Sequence, residues 1–247
     1  ASEVPPGTGL GSSSTVTVAS LKAVSAACGR SLTKMELAET ATRIEVGKLG
    51  MPIGYQDQFA AAFGGLNFFE FRADGNRAEP LRVSTDTVAG LQRRLLLFFT
   101  GQARDSTQIL AQQSENAKQH KAVALDALHA VRAMVDPMRR CLESGDLELF
   151  GRLLHDGWEQ KKKFASGVSN ERVDHLYTAA RNAGAMGGKL AGAGGGGFMM
   201  LYCEESRQDA VTAAMESEGL RRMDYLFDNG GARVLLNTGL RLIQGAQ

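Results

Sequence analysis

The sequence lacks the features that would place it in a membrane, in an oxidising compartment or around a cysteine-bound metal. Only three of its 247 residues are cysteines. Cys28, Cys141 and Cys203 are far apart and match no CxxC or Cys/His metal spacing, which predicts a reduced, cytoplasmic protein. No stretch approaches the roughly 20 apolar residues that a bilayer-spanning helix needs, so we expect no membrane partner.

Neither sign of charge is in excess. Lysine and arginine total 28, aspartate and glutamate total 27, and the net charge is +1. Chains that bind the nucleic-acid backbone carry a basic surplus, so we expect no nucleic-acid partner. A charged ligand would have to be met by a few local groups. The length allows one large core or two smaller ones, and two domains is our expectation.

The first part of the chain has helical patterns that follow glycine-rich loops. A Pro/Gly/Ser loop at 5–15 precedes a small, apolar stretch at 16–28 that suits a buried helix. Thr33 and Glu36 have the spacing of a capping box, which predicts the start of a second helix. That helix carries an apolar stripe with Glu45 at its edge, so we expect Glu45 near the interior.

The rest of the chain alternates between helical and extended patterns, which predicts an α+β protein. We place a boundary near residue 88, between domains 1–88 and 89–247. The expected elements are a helix at 56–63, strands at 66–72 and 93–99 separated by a polar turn at 74–76, a long helix at 107–141, helices at 146–164 and 170–182, a strand at 198–203, a helix at 206–218 and a strand at 232–237.

The loop at 5–14, PPGTGLGSSS, is the first segment with chemical content. Its glycines would let backbone N–H groups turn inward around an anion, and the following helix would add unpaired donors and the positive end of its dipole. A serine hydroxyl there would also suit Mg²⁺. The Gly-Lys-Ser/Thr ending of a Walker A loop is missing. The segment predicts either a phosphate site or an ordinary turn before a helix.

Two carboxylates, Glu45 and Asp57, form the second candidate site. They lie twelve positions apart, on either side of a Gly/Pro turn, and would be able to converge. One would then hold a metal and the other would take a proton from an attacking hydroxyl, which are the two roles that phosphoryl transfer needs. The alternative is that Glu45 is a surface residue of an amphipathic helix and that Asp57 caps the next one.

The third segment, GGKLAGAGGGGF at 187–198, is dense in glycine. So many glycines cost chain entropy, which is reasonable where a side chain would block a close backbone approach or a positive φ. The alternative is a disordered linker, but an apolar strand follows immediately. We therefore expect a ligand or another stretch of backbone to lie close to this loop.

Together these motifs resemble those of the GHMP kinases. The family's PxxxGLGSSS/A motif is similar to residues 5–14, and its GAGxGG-type loop is similar to residues 192–197. Within the family, GYQDQ at 54–58, TGQAR at 100–104 and VSN at 168–170 most resemble the D-glycero-D-manno-heptose 7-phosphate kinases and their sugar-kinase relatives. The similarity extends over essentially the whole chain.

The resemblance implies a fold and a set of site residues. The fold would combine a ribosomal-S5-like N-terminal domain with a ferredoxin-like C-terminal α/β domain, and ATP and Mg²⁺ would be the cofactors. Asp57 would be the catalytic carboxylate, with Ser13 and Glu45 as metal ligands. Lys189 and Arg104 would contact the substrate, although a surface or interdomain ion pair is the alternative for Arg104. The implied nucleotide-binding residues are Pro6, Gly7, Thr8, Gly9, Leu10, Gly11, Ser12, Ser13, Ser14, Gly192, Gly194 and Gly195.

Members of this family carry a further segment ahead of the phosphate loop, whereas this sequence starts at Ala1. We therefore expect a truncated N-terminal domain whose exposed strand edges lower stability or recruit a completing partner. The expected substrate is a sugar or sugar phosphate, first of all the anomeric hydroxyl of D-glycero-D-manno-heptose 7-phosphate. The alternatives are a fucose- or galactose-like acceptor, a non-catalytic nucleotide- or sugar-binding module, and glycine loops that serve packing alone. A homodimer is a further expectation.

Overall fold

The computed structural model describes residues 7–101, 107–119 and 121–236. Within these ranges the chain forms two compact units, each with its own apolar core. The first unit contains Gly11–Leu81 and 227–236, and the second contains 7–10 and Arg82–Leu226. Over the described residues the chain therefore passes from one unit to the other three times.

The first unit packs helices and a β-hairpin around a small core. The buried core residues are Val18, Leu37, Ala38, Ala41, Phe59 and Ala62. The hairpin has a two-residue turn, since Arg72 pairs with Gly75. The elements are α1 (Ser12–Ala27), α2 (Lys34–Thr42), a π-helix (Arg43–Lys48), α3 (Gln56–Phe63), β1 (Asn67–Arg72) and β2 (Gly75–Pro80).

Helix α2 begins at the capping box that the sequence predicts. The Thr33 hydroxyl accepts a hydrogen bond from Glu36 N at 3.2 Å, and the Glu36 carboxylate accepts one from Thr33 N at 2.8 Å. These two bonds satisfy backbone donors that the first helical turn leaves unpaired. The predicted helix start is therefore confirmed.

We expect Thr33→Ala to lower the free energy of unfolding by about 1 kcal/mol, because the cap on the Glu36 N–H is lost. The control is Ser31→Ala, which changes an exposed serine two residues earlier. Urea unfolding followed by circular dichroism measures both variants. Equal midpoints for Thr33→Ala and the control would show that the cap contributes nothing.

The second unit is built on a four-stranded antiparallel sheet. Its elements are α4 (Thr85–Arg94), β3 (Leu95–Phe99), α5 (Thr107–Lys118), α6 (Ala122–Ala133), α7 (Val135–Ser144), α8 (Leu147–Lys161), α9 (Glu171–Ala183), β4 (Gly187–Leu190), β5 (Phe198–Tyr202), a short 3₁₀ turn (Glu205–Arg207), α10 (Gln208–Ser217) and β6 (Arg221–Met223). The strand order is β4-β5-β3-β6. The central strands place Phe98, Met199 and Leu201 in the core, where α8 and α9 contribute Trp158 and Leu176.

The single long helix predicted at 107–141 is wrong, because this stretch forms α5, α6 and α7. Helix α6 ends at Ala133, and Pro137 is the third residue of α7. In a continuous helix the Pro137 ring would clash with the carbonyl of residue 133, and its missing N–H would remove a hydrogen bond. In the first turn of a new helix neither penalty applies.

Four helices and strands escape the sequence prediction, namely β2, α4, β4 and β6. The strand predicted at 93–99 starts at Leu95, because α4, capped by the Ser84 hydroxyl, continues to Arg94. The strand predicted at 232–237 is wrong over its described part, since residues 232–236 form no strand there. Leu235 and Leu236 are exposed, so their apolar character does not indicate a buried strand.

The expected α+β class is confirmed by the mixture of helices and antiparallel strands. In the part of the chain that the structure describes, no helix has the length and hydropathy that a membrane span requires.

Candidate active site

A buried carboxylate lies beside the first turns of α1. Glu45 belongs to the π-helix, and only 1% of its surface is exposed. Its Oε1 accepts hydrogen bonds from Ser13 Oγ at 3.0 Å and from Thr17 Oγ1 at 3.1 Å. Its Oε2 accepts from Ser14 Oγ at 2.8 Å and from Gln58 Nε2 at 2.5 Å. Four donors offset the cost of burying this carboxylate.

The π-helix contributes to the placement of Glu45. Its hydrogen bonds span five residues, as from Leu49 N to Ile44 O at 2.9 Å, so the turn holds more residues than an α-helical turn. The residues after Thr42 are therefore rotated relative to the stripe of α2. The expected position of Glu45 near the interior is confirmed, and the surface alternative is excluded.

Asp57 lies close to the same end of α1. It is the second residue of α3 and is half-buried. Gly11, the N-cap of α1, has a φ of +68°, and a Cβ placed on it would lie 3.3 Å from Asp57 Cγ. The backbone conformation at this close approach favours glycine. The first unit thus brings Asp57 and Glu45 to the start of one helix.

Ser13 and Glu45 have the chemistry of a magnesium site. Their oxygens lie 3.0 Å apart, and hydroxyl and carboxylate oxygens are the ligands that this cation prefers. Mg²⁺ in nucleotide sites is held by one or two protein groups, with phosphates and waters as its other ligands. Among the described residues, no cluster of three or more His, Cys, Asp or Glu side chains could hold a metal. Two oxygen-bearing groups match the number of protein ligands that a nucleotide-bound Mg²⁺ takes.

In the second unit, residues 7–10 lie against the glycine-rich loop at 191–197, which joins β4 to β5. A Cβ on Gly9 would lie 2.4 Å from Ala191 O, and one on Gly197 would lie 2.3 Å from Thr8 O. Phe198 N donates to Thr8 O at 3.2 Å. The expected close backbone approach is therefore confirmed, and its partner is the other glycine loop.

The carbonyl groups of this loop are held by side chains from several elements. Four side chains each donate a hydrogen bond to the carbonyl oxygen of a different residue of the loop. Thr100 Oγ1 bonds Gly197 O at 2.8 Å, Gln113 Nε2 bonds Ala193 O at 3.3 Å, Asn170 Nδ2 bonds Gly195 O at 3.2 Å, and Lys161 Nζ bonds Gly192 O. The loop is fixed, so a linker is excluded. The sequence prediction missed these four residues as loop contacts, because nothing in their spacing links them to the loop.

The strand that leads into the loop rests on α8. A Cβ on Gly187 would lie 2.1 Å from Gly151 O, so β4 and α8 meet backbone to backbone. Tyr177 of α9 shares a 2.9 Å hydrogen bond with His155 Nδ1 of α8. Burial raises the pKa of Tyr177 above its ordinary value, so the phenol stays protonated at neutral pH. Helices α8 and α9 and strand β4 therefore pack together at the start of the loop.

We expect Lys161→Met to accelerate amide hydrogen exchange in residues 192–197 by about tenfold, because the loop loses a charged donor. Lys163→Met is the matched control, since Lys163 is a lysine two positions later that bonds Gln160 Oε1 at 3.0 Å and not the loop. Hydrogen–deuterium exchange with mass spectrometry measures both variants. Equal exchange in the two would show that Lys161 does not hold the loop.

The other predicted contact residues have mixed positions. Lys189 is half-buried in β4, opposite Met200. Gly194 approaches the backbone of Val168, where a Cβ on it would lie 2.4 Å from the carbonyl oxygen, and Gly195 N donates to the same oxygen at 2.8 Å. Pro6 and Arg104 lie outside the described residues. The nucleotide and substrate roles of all predicted site residues stay predictions.

Comparison with known proteins gives the same assignment from both halves of the chain. The GHMP kinases N terminal domain matches residues 1–65, and the GHMP kinases C terminal domain matches residues 138–221. The chain is 33% identical over 233 residues to D-glycero-alpha-D-manno-heptose 7-phosphate kinase of Campylobacter jejuni, a match that covers 94% of this chain and 68% of the relative. It is 29% identical over 234 residues to mevalonate kinase of Thermococcus onnurineus, covering 93% of this chain and 66% of that one.

Solved structures agree. A crystal structure of a D-glycero-D-manno-heptose 1-phosphate kinase from Bacteroides thetaiotaomicron has a TM-score of 0.73 and 32% sequence identity. That match covers 93% of this chain and 64% of the other.

The chain belongs to the GHMP kinases, a family of ATP-dependent phosphotransferases. Within this family, the sequence and the structure are similar to those of heptose phosphate kinases, with about a third of the aligned residues identical. The expected family and its fold are therefore confirmed. The chain spans about two thirds of the length of these relatives. The domain limits 1–88 and 89–247 stay a prediction, because the two family matches leave the region around residue 88 uncovered.

Proposed function

We propose that the protein transfers the γ-phosphoryl group of ATP to a sugar hydroxyl, and that the acceptor is the anomeric hydroxyl of D-glycero-D-manno-heptose 7-phosphate. The observation that carries this proposal is the grouping of Ser13, Glu45 and Asp57 around the start of α1. Relatives with a third of their residues identical are named as heptose phosphate kinases, which supports the choice of acceptor.

Asp57 would act as the general base. Its carboxylate would accept the proton of the sugar hydroxyl while that oxygen bonds to the γ-phosphorus, and the bond from this phosphorus to the bridging oxygen of ADP would break. Ser13 and Glu45 would hold Mg²⁺, which supplies positive charge to the phosphoryl group during transfer. Most of the rate enhancement would then come from positioning and electrostatic stabilisation.

Residues 7–14 would bind the phosphates through their N–H groups and through the N-terminus of α1. For that, the loop has to keep one backbone conformation. The contacts of Thr8 and Gly9 with the glycine-rich loop support this role for residues 7–10. Gly192 would then serve the nucleotide chiefly by allowing this packing, and Gly194 and Gly195 by allowing the close approach of the loop to Val168.

The proposed acceptor carries a phosphate group of its own, so its binding site should contain a positively charged side chain. Lys189 and Arg104 are the proposed contacts, since ammonium and guanidinium groups both bind phosphate oxygens. We also place the protein in the cytoplasm, because its three cysteines are free. A homodimer is proposed as well, with α5, α6 and α7, which replace the single helix predicted at 107–141, as the candidate interface.

The test is phosphate transfer from ATP to a panel of acceptors, namely heptose 7-phosphate, fucose, galactose and mevalonate. We expect transfer to heptose 7-phosphate to exceed transfer to each other acceptor by at least about 100-fold in kcat/KM, the size of discrimination that polar recognition provides. Because the chain spans two thirds of its relatives, a version extended to their full length is assayed in parallel. ATP binding without transfer to any acceptor in both versions would favour a non-catalytic binding module.

A further inference from the structure

The four hydrogen bonds on Glu45 follow a pattern that the proposed metal site does not by itself require. Each carboxylate oxygen accepts two bonds. On Oε1 the donors are Ser13 and Thr17, and on Oε2 they are Ser14 and Gln58. Each oxygen thus has one donor from the serine run of the phosphate loop and one donor from outside it.

The two kinds of donor would behave differently when a cation binds. A serine hydroxyl that ligates a cation has to direct an oxygen lone pair at the metal, which changes the direction of its O–H and so rearranges its bond to the carboxylate. Thr17 lies in the next turn of α1, and Gln58 lies on α3. If both loop serines turned to the cation and its nucleotide, Glu45 would still keep one fixed donor on each oxygen.

The surroundings of Gln58 indicate that it is present for this bond. Gln58 is fully buried, and its Oε1 has no hydrogen-bond partner in the described part of the chain. A buried amide oxygen without a partner is unfavourable, so glutamine at this position has a cost that its bond to Glu45 has to offset. The bond from Nε2 to Glu45 Oε2 is what a glutamine supplies here and a methionine would not.

Thr17 has a second acceptor within reach. Its Oγ1 lies 3.1 Å from Glu45 Oε1 and 3.2 Å from Ser13 O. A bond to the carbonyl four residues earlier is common for threonine in helices. One hydroxyl hydrogen cannot serve both acceptors fully, so the local helix bond is the competing explanation for this residue, and the experiment must separate the two.

We propose that Thr17 and Gln58 are positioning residues that hold the Glu45 carboxylate in its metal-binding orientation while the loop serines exchange partners. This inference rests on the proposed function, because it takes Glu45 to be a ligand of a nucleotide-bound divalent cation. Neighbours that hydrogen-bond a metal ligand fix its direction, and their loss weakens metal binding without removing a ligand.

The experiment measures cation affinity directly. Mn²⁺ binding to the chain is followed by electron paramagnetic resonance in the presence of a non-hydrolysable ATP analogue, and binding of the metal-free analogue is measured separately by calorimetry. We expect Gln58→Met and Thr17→Val each to raise the Kd for Mn²⁺ by about tenfold. The Kd for the metal-free analogue should stay within twofold of its original value, as a rough limit for a residue outside the phosphate contacts.

Matched controls lie next to each position. Gln56→Met changes an exposed glutamine of α3, and Thr15→Val changes an exposed threonine of α1. Both should bind Mn²⁺ as the original chain does. Thr17→Ser keeps the hydroxyl and should restore the affinity that Thr17→Val loses. If Gln58→Met does not fold, the comparison of Thr17→Val with Thr17→Ser decides the result.

The outcomes separate this inference from the function beneath it. Suppose that the original chain binds Mn²⁺ together with the analogue, and that Gln58→Met and Thr17→Val bind Mn²⁺ with the same affinity. This result overturns the positioning role and leaves the kinase proposal in place. Equal weakening of the metal-free analogue would show a general structural role and would also overturn it. If the original chain binds the analogue but no Mn²⁺, the metal site itself is wrong, and both proposals fail together.

Discussion

Asp57→Asn is expected to reduce the turnover number by about 10²–10⁴-fold, the range typical for loss of a general base. The amide keeps nearly the shape of the carboxylate but cannot accept the proton of the sugar hydroxyl. Asp57 lies beside Gly11 at the N-cap of α1, so this exchange should leave the backbone of the phosphate loop in place. The affinity for MgATP should therefore change by less than about threefold, because only the transition state loses an interaction.

The control is Asp86→Asn, since Asp86 is also the second residue of its helix but is exposed. Both exchanges remove an acidic group from a first helical turn and so share any effect on the helix dipole. Initial-rate kinetics with the best acceptor and calorimetric titration of MgATP provide the two readouts. A turnover number for Asp57→Asn equal to that of the Asp86 variant would remove Asp57 from the mechanism.

Gly197→Ala should be among the most destabilising single changes in the second unit, lowering the free energy of unfolding by about 4 kcal/mol or more. Gly197 has a φ of +87°, and an added Cβ would lie 2.3 Å from Thr8 O. Relief requires the backbone of the two glycine loops to separate, and the bonds from Thr100 and Phe198 that cross this point would be strained. Loss of nucleotide binding should accompany the loss of stability.

Gly219→Ala isolates the clash from the backbone conformation. Gly219 has a similar φ of +82°, but no atom lies within 4 Å of an added Cβ. Its replacement should cost about 1–2 kcal/mol, which is the penalty for the left-handed conformation alone. Urea unfolding monitored by circular dichroism compares the two. If both variants had the same midpoint, close packing of the loops would not contribute to stability.

Local signals predicted the first unit better than the second. The capping box of Thr33 and the short helix at 56–63 are set by neighbouring residues, and the structure reproduces them. The helix ends between α5 and α6 and between α6 and α7 depend on packing and on the position of Pro137. The periodic spacing of apolar residues in the sequence does not indicate them. Strand β4 is hidden because its first two residues are glycines, whose strand role comes only from pairing with β5.

The site shows the same division. Glu45 and Asp57 could be found because carboxylates near a glycine turn are chemically conspicuous in a sequence. The side chains that hold the glycine-rich loop are ordinary polar residues of the helices and of the turn after β3. Only the fold brings Gln113 and Asn170 to carbonyl groups that are 80 and 25 residues away in sequence. Contacts of this kind leave no periodic pattern in the sequence, so they cannot be predicted from it.

The widened turn at Arg43–Lys48 also bears on how this segment can change over time. Each residue of an α-helix turns the chain by about 100°. A deletion between α2 and Glu45 that returned this turn to α-helical geometry would therefore swing the Glu45 carboxylate away from α1, even if every remaining residue were kept. Substitutions at the exposed positions of the turn leave its length intact, whereas gaps do not. Among proteins that evolve from this one and keep its function, the number of residues between α2 and the Gly/Pro turn should therefore change far less than the identity of those residues.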